Sequence, residues 1–392
     1  MVRQPLEEYS VLDLSQGVAG PTAGAMLGDF GADVVSIEPP NGASQRYLAD
    51  GSAFPNVSRN KDAIVVDLKT EKGTEIVHKL VAEADALIES NRPGKMADFN
   101  CDYDTLAEIN PELVYCSITG YGEEGQYRNR PGIDPLAQAV SGLMWMTGEP
   151  DRKPSRIGGP TIDVATGINA AFATLTAMVH AEKTGEGQKI ESTLFDTAAM
   201  IMSNWYTKYS KDGSVPERQG HSWEVYAPSG VFNTGTRPVY IAVPAQPYWK
   251  RLCRAVDRMD WFDDDRFASN EDRLANRDQL FDEIEAEFEK YDRDDLLAEL
   301  ITAGVPASEL QTVQEAAEDE HLRQRGTVRE IEGAENEETL VVQTPVQFSK
   351  TPGRFEHVAP ELGADTREVL RDSGFSEEEI DDFVSANVVE EA

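Results

Sequence analysis

The chain has 392 residues, 40% of them hydrophobic, and a formal charge of −35 from 71 acidic against 36 basic side chains. That length predicts two domains, and an acidic excess with no basic patch to neutralise phosphates excludes nucleic-acid binding. No apolar stretch reads as long enough to cross a membrane and the first residues carry no signal-peptide pattern, so a cytoplasmic protein is expected.

The acids are dispersed, as in Asp263-Asp264-Asp265, Glu335 to Glu338 and Glu377-Glu378-Glu379. On a foldable sequence this predicts a surface built for high salt, where screening suppresses self-repulsion. Cys101, Cys116 and Cys253 are widely spaced and form neither a disulfide framework nor a CxxC metal site, so no metal is expected.

The first third alternates strand and helix patterns, which predicts a parallel α/β sheet. Val11 to Leu14 reads as a buried strand, followed by Gly17, Gly20, Pro21 and Gly24 and an apolar helix ending at Gly31. Further strands are expected at Val34 to Ile37, Ala63 to Leu68, Ala86 to Glu89 and Leu113 to Ile118, with helices at Glu71 to Ala84 and near Tyr103 to Glu108. Two longer helices, Asp134 to Met146 and Ile162 to Ala181, precede a turn at Lys183 to Gln188. Composition shifts after Tyr209: residues 210–225 read as a linker, and a second region runs to about residue 330. The tail returns to a β-like segment, Leu340 to Phe348, and a closing helix.

Asp163 is the residue most in need of explanation. It stands between the Gly158-Gly159-Pro160 turn and the apolar run from Ile168 to His180. A carboxylate there is either a helix cap or present for chemistry, and Thr161 competes for the capping role. Gly17 to Gly24 follows the first strand where a dinucleotide site would begin, but it is not GxGxxG. Its backbone N–H groups could face an anionic or carbonyl ligand, or the segment could be a tight packing turn. GxSxG, Walker A, HExxH and EF-hand patterns are all missing from the sequence.

Taken together, the motifs resemble the class III CoA-transferases, the family of formyl-CoA, carnitine and bile-acid-inducible CoA-transferases. The matching stretches run along the chain: Val11-Leu12-Asp13-Leu14 with Ala19-Gly20-Pro21, Gly31-Ala32-Asp33-Val34-Val35, Asn60-Lys61, Arg92-Pro93-Gly94, Asp163 with Thr166-Gly167, Lys183 to Gln188, Gly304-Val305-Pro306-Ala307 and Pro360-Glu361-Leu362-Gly363.

The resemblance implies a Rossmann-like large domain built from both chain ends (residues 1–209, with 331–392 as return linker and last part), a smaller α+β domain over 226–330, and an interlocked homodimer. It implies CoA thioesters as substrates, with no permanently bound cofactor. Asp163 becomes the nucleophile that forms an aspartyl acyl anhydride, with Asp134 and Gln16 as catalytic support. Gln16, Gly17, Val18 and Ala19 would lie along the pantetheine arm, and Lys69, Ser90, Asn91 and Arg92 would meet the CoA nucleotide. The sequence departs from the family at Ser90-Asn91, just before the matching Arg92-Pro93-Gly94, at Pro39, where a basic residue often stands, and near Ser229 to Phe232, where the glycine-rich covering loop is not reproduced. α-Methylacyl-CoA racemases of the same superfamily carry Gly-His-Asp where this chain has Gly132-Ile133-Asp134, and isoleucine cannot shuttle a proton. A non-catalytic CoA-binding protein, which would not need Asp163, is the remaining alternative. If the acidic charge marks a haloarchaeon, exchange among short dicarboxylates is expected, with succinyl-CoA as donor and mesaconate or a similar acid as acceptor. Arg46, Arg59 and Arg156 are then candidates for the distal carboxylate.

Overall fold

The structure is a computed structural model describing residues 3–332 and 338–392, so Glu335 to Glu337 of one acidic run lie outside the described residues. The chain divides into two compact units. The first comprises residues 1–143, 157–213 and 320–392, and the second residues 144–156 and 214–319. The excursion Met144–Arg156 into the second unit is absent from the expected boundaries, and the return falls at Glu320 rather than at 331.

The first unit is built on a seven-stranded sheet. Its strands are β1 (Ser10–Leu14), β2 (Asp33–Glu38), β3 (Asp62–Val66), β4 (Ala86–Glu89), β5 (Val114–Thr119), β6 (Gln188–Thr193) and, at the far end of the chain, β12 (Val389–Glu390). The order is β12-β3-β2-β1-β4-β5-β6, parallel throughout except for β12, which runs antiparallel to β3. Short apolar runs such as Ala86-Leu87-Ile88 are buried on both faces, as a sheet covered by helices on each side requires. Strand order reverses beside β1, whose neighbours are β2 and β4. In open parallel sheets the crevice for a ligand lies at that switch point, outside the carboxyl ends of the strands.

Helix Thr161–Thr184 packs its small residues, among them Gly167, Ala170 and Ala171, towards helix Ala19–Gly28. A Cβ on Gly167 would lie 2.5 Å from the Ala19 carbonyl oxygen, so only glycine allows this approach. Among the described residues this is the one helix long and apolar enough, by length and composition, to cross a membrane, which corrects the expectation that no such stretch exists. Its buried face is a packed core face, while Val164, Ile168, Phe172 and Val179 are exposed along the other side.

The expected helix Asp134 to Met146 is two, Asp134–Val140 and Leu143–Met146, because Gly142 takes a positive φ of 88° between them. The expected strand Leu340 to Phe348 shortens to β11 (Glu338–Val342), paired with β10 (Val328–Glu332). The second unit holds the antiparallel sheet of β7 (Ser229–Phe232), β8 (Val239–Ala242) and β9 (Ala307–Glu309). Its own core gathers Trp249, Trp261, Phe267 and Phe288.

Candidate active site

Asp163 sits in the first turn of helix Thr161–Thr184. The N-cap position is Pro160, which offers no side-chain cap, and the Thr161 hydroxyl turns to the Gly158 carbonyl. Capping comes instead from Asp134, 28 residues or more upstream. One Asp134 oxygen accepts from the Ile162 N–H at 2.6 Å and the Asp163 N–H at 3.1 Å. Its other oxygen accepts from the Gln138 side chain at 2.6 Å, and Gln138 in turn accepts from the Ile157 N–H at 2.9 Å. Asp134 is therefore a buried cap for another helix rather than for its own.

This arrangement answers the capping alternative for Asp163. The helix end is already satisfied, and no donor among the described residues reaches the Asp163 carboxylate. Burial, with added repulsion from Asp134, pushes its pKa up to about 7. A half-buried carboxylate that performs no capping and accepts no hydrogen bond is free to react.

Around Asp163 lies a cavity of about 510 Å³ at the switch point of the sheet. The turn after β1 forms one wall, where Gly17 takes a φ of 81° and donates its N–H to the Ser44 hydroxyl at 3.1 Å. The Gln16 N–H donates to the Ser90 hydroxyl at 2.8 Å, and that hydroxyl donates back to the Gln16 carbonyl at 3.1 Å. The turns after β1 and β4 are thus stitched together across the crevice. Helix Ala19–Gly28 opens here with no side-chain cap. Val18, Ile118, Ile133 and Leu194 supply apolar walls.

Of the residues expected from sequence, the cavity brings together Gln16, Gly17, Val18, Ala19, Ser90, Asn91, Arg92 and Asp163. Lys69 is exposed just beyond β3 and does not line it. Arg46 and Arg59 are corrected by their partners. Arg46 holds both oxygens of buried Glu38, at 2.7 and 2.6 Å. Arg59, itself buried, holds both oxygens of Asp29, at 2.9 and 2.6 Å. Neither is a lining residue, and their donors are already committed. Arg156 is exposed and also outside the lining. Ser229 to Phe232 is a strand, β7, rather than a covering loop.

Sequence reading missed Arg128 and Arg130, which line the cavity with Arg92. None of the three has a carboxylate partner among the described residues, although the chain is strongly acidic. The signal was available: two arginines separated by Asn129, directly before Pro131-Gly132. Gly132 is wedged against Gly120, where a Cβ on either residue would come within 2.4 Å of the other's Cα. The wall residue Ile133 is 57% exposed, and no histidine lines the cavity. Among the described residues, no group of three or more His, Cys, Asp or Glu is placed to hold a metal ion.

Comparison with known proteins agrees with this fold. The chain is 34% identical over 381 residues to a succinate–glutarate CoA-transferase of Agrobacterium fabrum, covering 94% of this chain and 95% of that one. It is 33% identical over 385 residues to a succinyl-CoA:mesaconate CoA-transferase of Haloarcula hispanica, covering 94% and 96%. The crystal structure of a CAIB/BAIF family protein from Brucella suis superposes with a TM-score of 0.87 at 33% identity, covering 95% of this chain and all of that one. The family model described as CoA-transferase family III matches residues 6–366, and the chain is an enzyme belonging to that family.

Proposed function

We propose that this enzyme moves CoA between short dicarboxylic acids through a covalent intermediate on Asp163, with succinyl-CoA as donor and mesaconate or a similar acid as acceptor. The observation that carries the reading is the Asp163 carboxylate, which performs no capping and accepts no hydrogen bond among the described residues, at the switch-point cavity. The relatives in Agrobacterium and Haloarcula, which act on succinate with glutarate and on succinyl-CoA with mesaconate, support the substrate class.

In this mechanism an Asp163 oxygen attacks the thioester carbonyl, the C–S bond breaks, and CoA leaves as the thiolate. The thiolate then attacks the aspartyl carbonyl of the mixed anhydride and expels the donor acid, leaving an aspartyl thioester. The acceptor carboxylate repeats these steps in reverse and departs as the new thioester. Splitting the exchange keeps one carbonyl activated, as thioester or anhydride, at every stage, and the apolar walls reduce the loss of the anhydride to water. Asp134 positions the nucleophile by holding the first turn of its helix. The Gln16–Ala19 turn faces the thioester and pantetheine, and Arg92 and Arg128 meet the CoA phosphates. Incubation with succinyl-CoA followed by borohydride or hydroxylamine should mark Asp163, read by peptide mass spectrometry. A label elsewhere, or none, overturns the covalent route.

Only the ionised carboxylate is a nucleophile, and the Asp163 pKa lies at about 7. The kcat/KM is therefore expected to be low on the acid side, to rise through about pH 7 and to level off above it. A profile flat between pH 5.5 and 8.5 would contradict this.

We also read the enzyme as a cytoplasmic homodimer. Support for the dimer comes from the exposed apolar stripe Val164, Ile168, Phe172 and Val179, in which Phe172 is 72% exposed. Stripes of this kind mark protein contacts. Light scattering in molar salt should give twice the chain mass, and a monomer would count against the assignment.

A further inference from the structure

We propose that Arg130 binds the distal carboxylate of the dicarboxylyl substrate, while Arg92 and Arg128 serve the phosphates of CoA. This rests on the dicarboxylate reading above and assigns it a residue. The first observation is electrostatic. In a chain of charge −35, arginines such as Arg46, Arg59, Arg258 and Arg367 are held by carboxylates. Arg92, Arg128 and Arg130 converge on one cavity with no such partner among the described residues. Unanswered cations concentrated where Asp163 faces the same space point to an anionic ligand of several charges.

The second observation separates the three. A smaller cavity of about 210 Å³ adjoins the first and shares Arg92, Pro93 and Arg128 with it, but contains neither Arg130 nor Asp163. Arg92 and Arg128 therefore stand at the border of the two spaces. Arg130 belongs only to the space that holds the nucleophile, alongside the apolar side chains of Ile133 and Leu194, which suit the methylene carbons of a short acid.

The third observation is the mounting of Arg130. Its guanidinium stacks over the Tyr127 ring at 3.7 Å, and Tyr127 packs edge-on against Tyr121, with ring centroids 5.7 Å apart. Stacking occupies the flat face and leaves the N–H edge for a bidentate carboxylate. The backbone that follows is braced by the Gly132–Gly120 contact and ends at Asp134, which holds the Asp163 N–H. Arg130 thereby stands four residues before the side chain that holds the first turn of the nucleophile's helix.

The test compares succinyl-CoA with butyryl-CoA as donors to one common monocarboxylate acceptor, using the full-length enzyme. Arg130→Gln should lower the ratio of kcat/KM for succinyl-CoA over butyryl-CoA by at least about tenfold. Arg130→Lys should recover part of that ratio, and Arg128→Gln should weaken both donors alike and raise the inhibition constant of free CoA. If Arg130→Gln weakens both donors equally, or leaves the ratio unchanged, the assignment is overturned. If the wild-type enzyme does not prefer succinyl-CoA, the dicarboxylate reading itself fails and takes this assignment with it.

Discussion

Asp163→Asn is expected to lose acyl exchange by on the order of 10⁴-fold or more in kcat, and at the same time to make the free enzyme more stable at pH 8. The loss follows from removing the nucleophile of a covalent route, since the amide has no anionic oxygen to attack the thioester. The gain follows from linkage. Burial and Asp134 raise the Asp163 pKa from an ordinary 3.8 to about 7 in the folded state. The folded protein therefore binds a proton more tightly than the unfolded chain does. Stability associated with that proton is fully present below about pH 4 and is lost as the pH rises through about 7. Above pH 7 the wild type carries an ionised, poorly solvated group that asparagine replaces at nearly constant volume. The increase should be about 1–3 kcal/mol, allowing for partial exposure to water. It should shrink as the pH is lowered from 8 to 5.5. Thermal melts of both proteins across that range, beside acyl-exchange assays, check the two halves together. A variant that is inactive and also less stable at pH 8 would make Asp163 a structural residue.

The sheet was legible because its strands carry their burial in their own residues. Ala86-Leu87-Ile88 and Val114 to Ile118 are apolar on both faces and can only be central strands, and the structure places them there. Asp163 was legible as a residue with two readings, cap or chemistry, because a carboxylate stands before an apolar helix where Thr161 already competes for the cap. Its release from capping was not, because Asp134 lies in a different helix and the bond depends on their meeting in space. The same limit explains the arginines. Arg46 and Arg59 read as free cations, since their partners Glu38 and Asp29 lie 8 and 30 residues away. β12 is two residues long and pairs only once the chain end returns to β3, so no pattern announces it. Helix Thr161–Thr184 is apolar around most of its circumference. Sequence shows that, but not that one face meets helix Ala19–Gly28 while the other stays open in the single chain.

Removing salt is expected to unfold the enzyme. With 71 acids and 36 bases the surface charge is net repulsive, and the range of that repulsion is the screening length, about 3 Å in 1 M salt and about 30 Å at 0.01 M. The structure shows where the pressure is felt. Asp62, at the start of β3, is pushed up to about 6 by burial and by the nearby carboxylates of Asp365 and Asp33. Asp33 is likewise raised, by burial and by Asp372. These acids join the N-terminal strands to the C-terminal segment, where an Asp365 oxygen accepts the Ala63 N–H at 2.8 Å. Surface ion pairs such as Arg367 with Glu377 and Asp381 offset little of this, since each is worth about 0–1 kcal/mol. The melting temperature should fall by roughly 10 °C or more between molar KCl and dilute buffer, a few kcal/mol for a chain of this size. Two controls identify the cause. Sucrose in place of salt should restore less stability than KCl at equal osmolality, because it screens nothing. Lowering the pH from 8 to 6 in dilute buffer should restore part of it, because carboxylates with raised pKa values then take up protons in the folded state. A melting temperature unchanged by desalting would show that the acidic surface plays no part in holding the fold together.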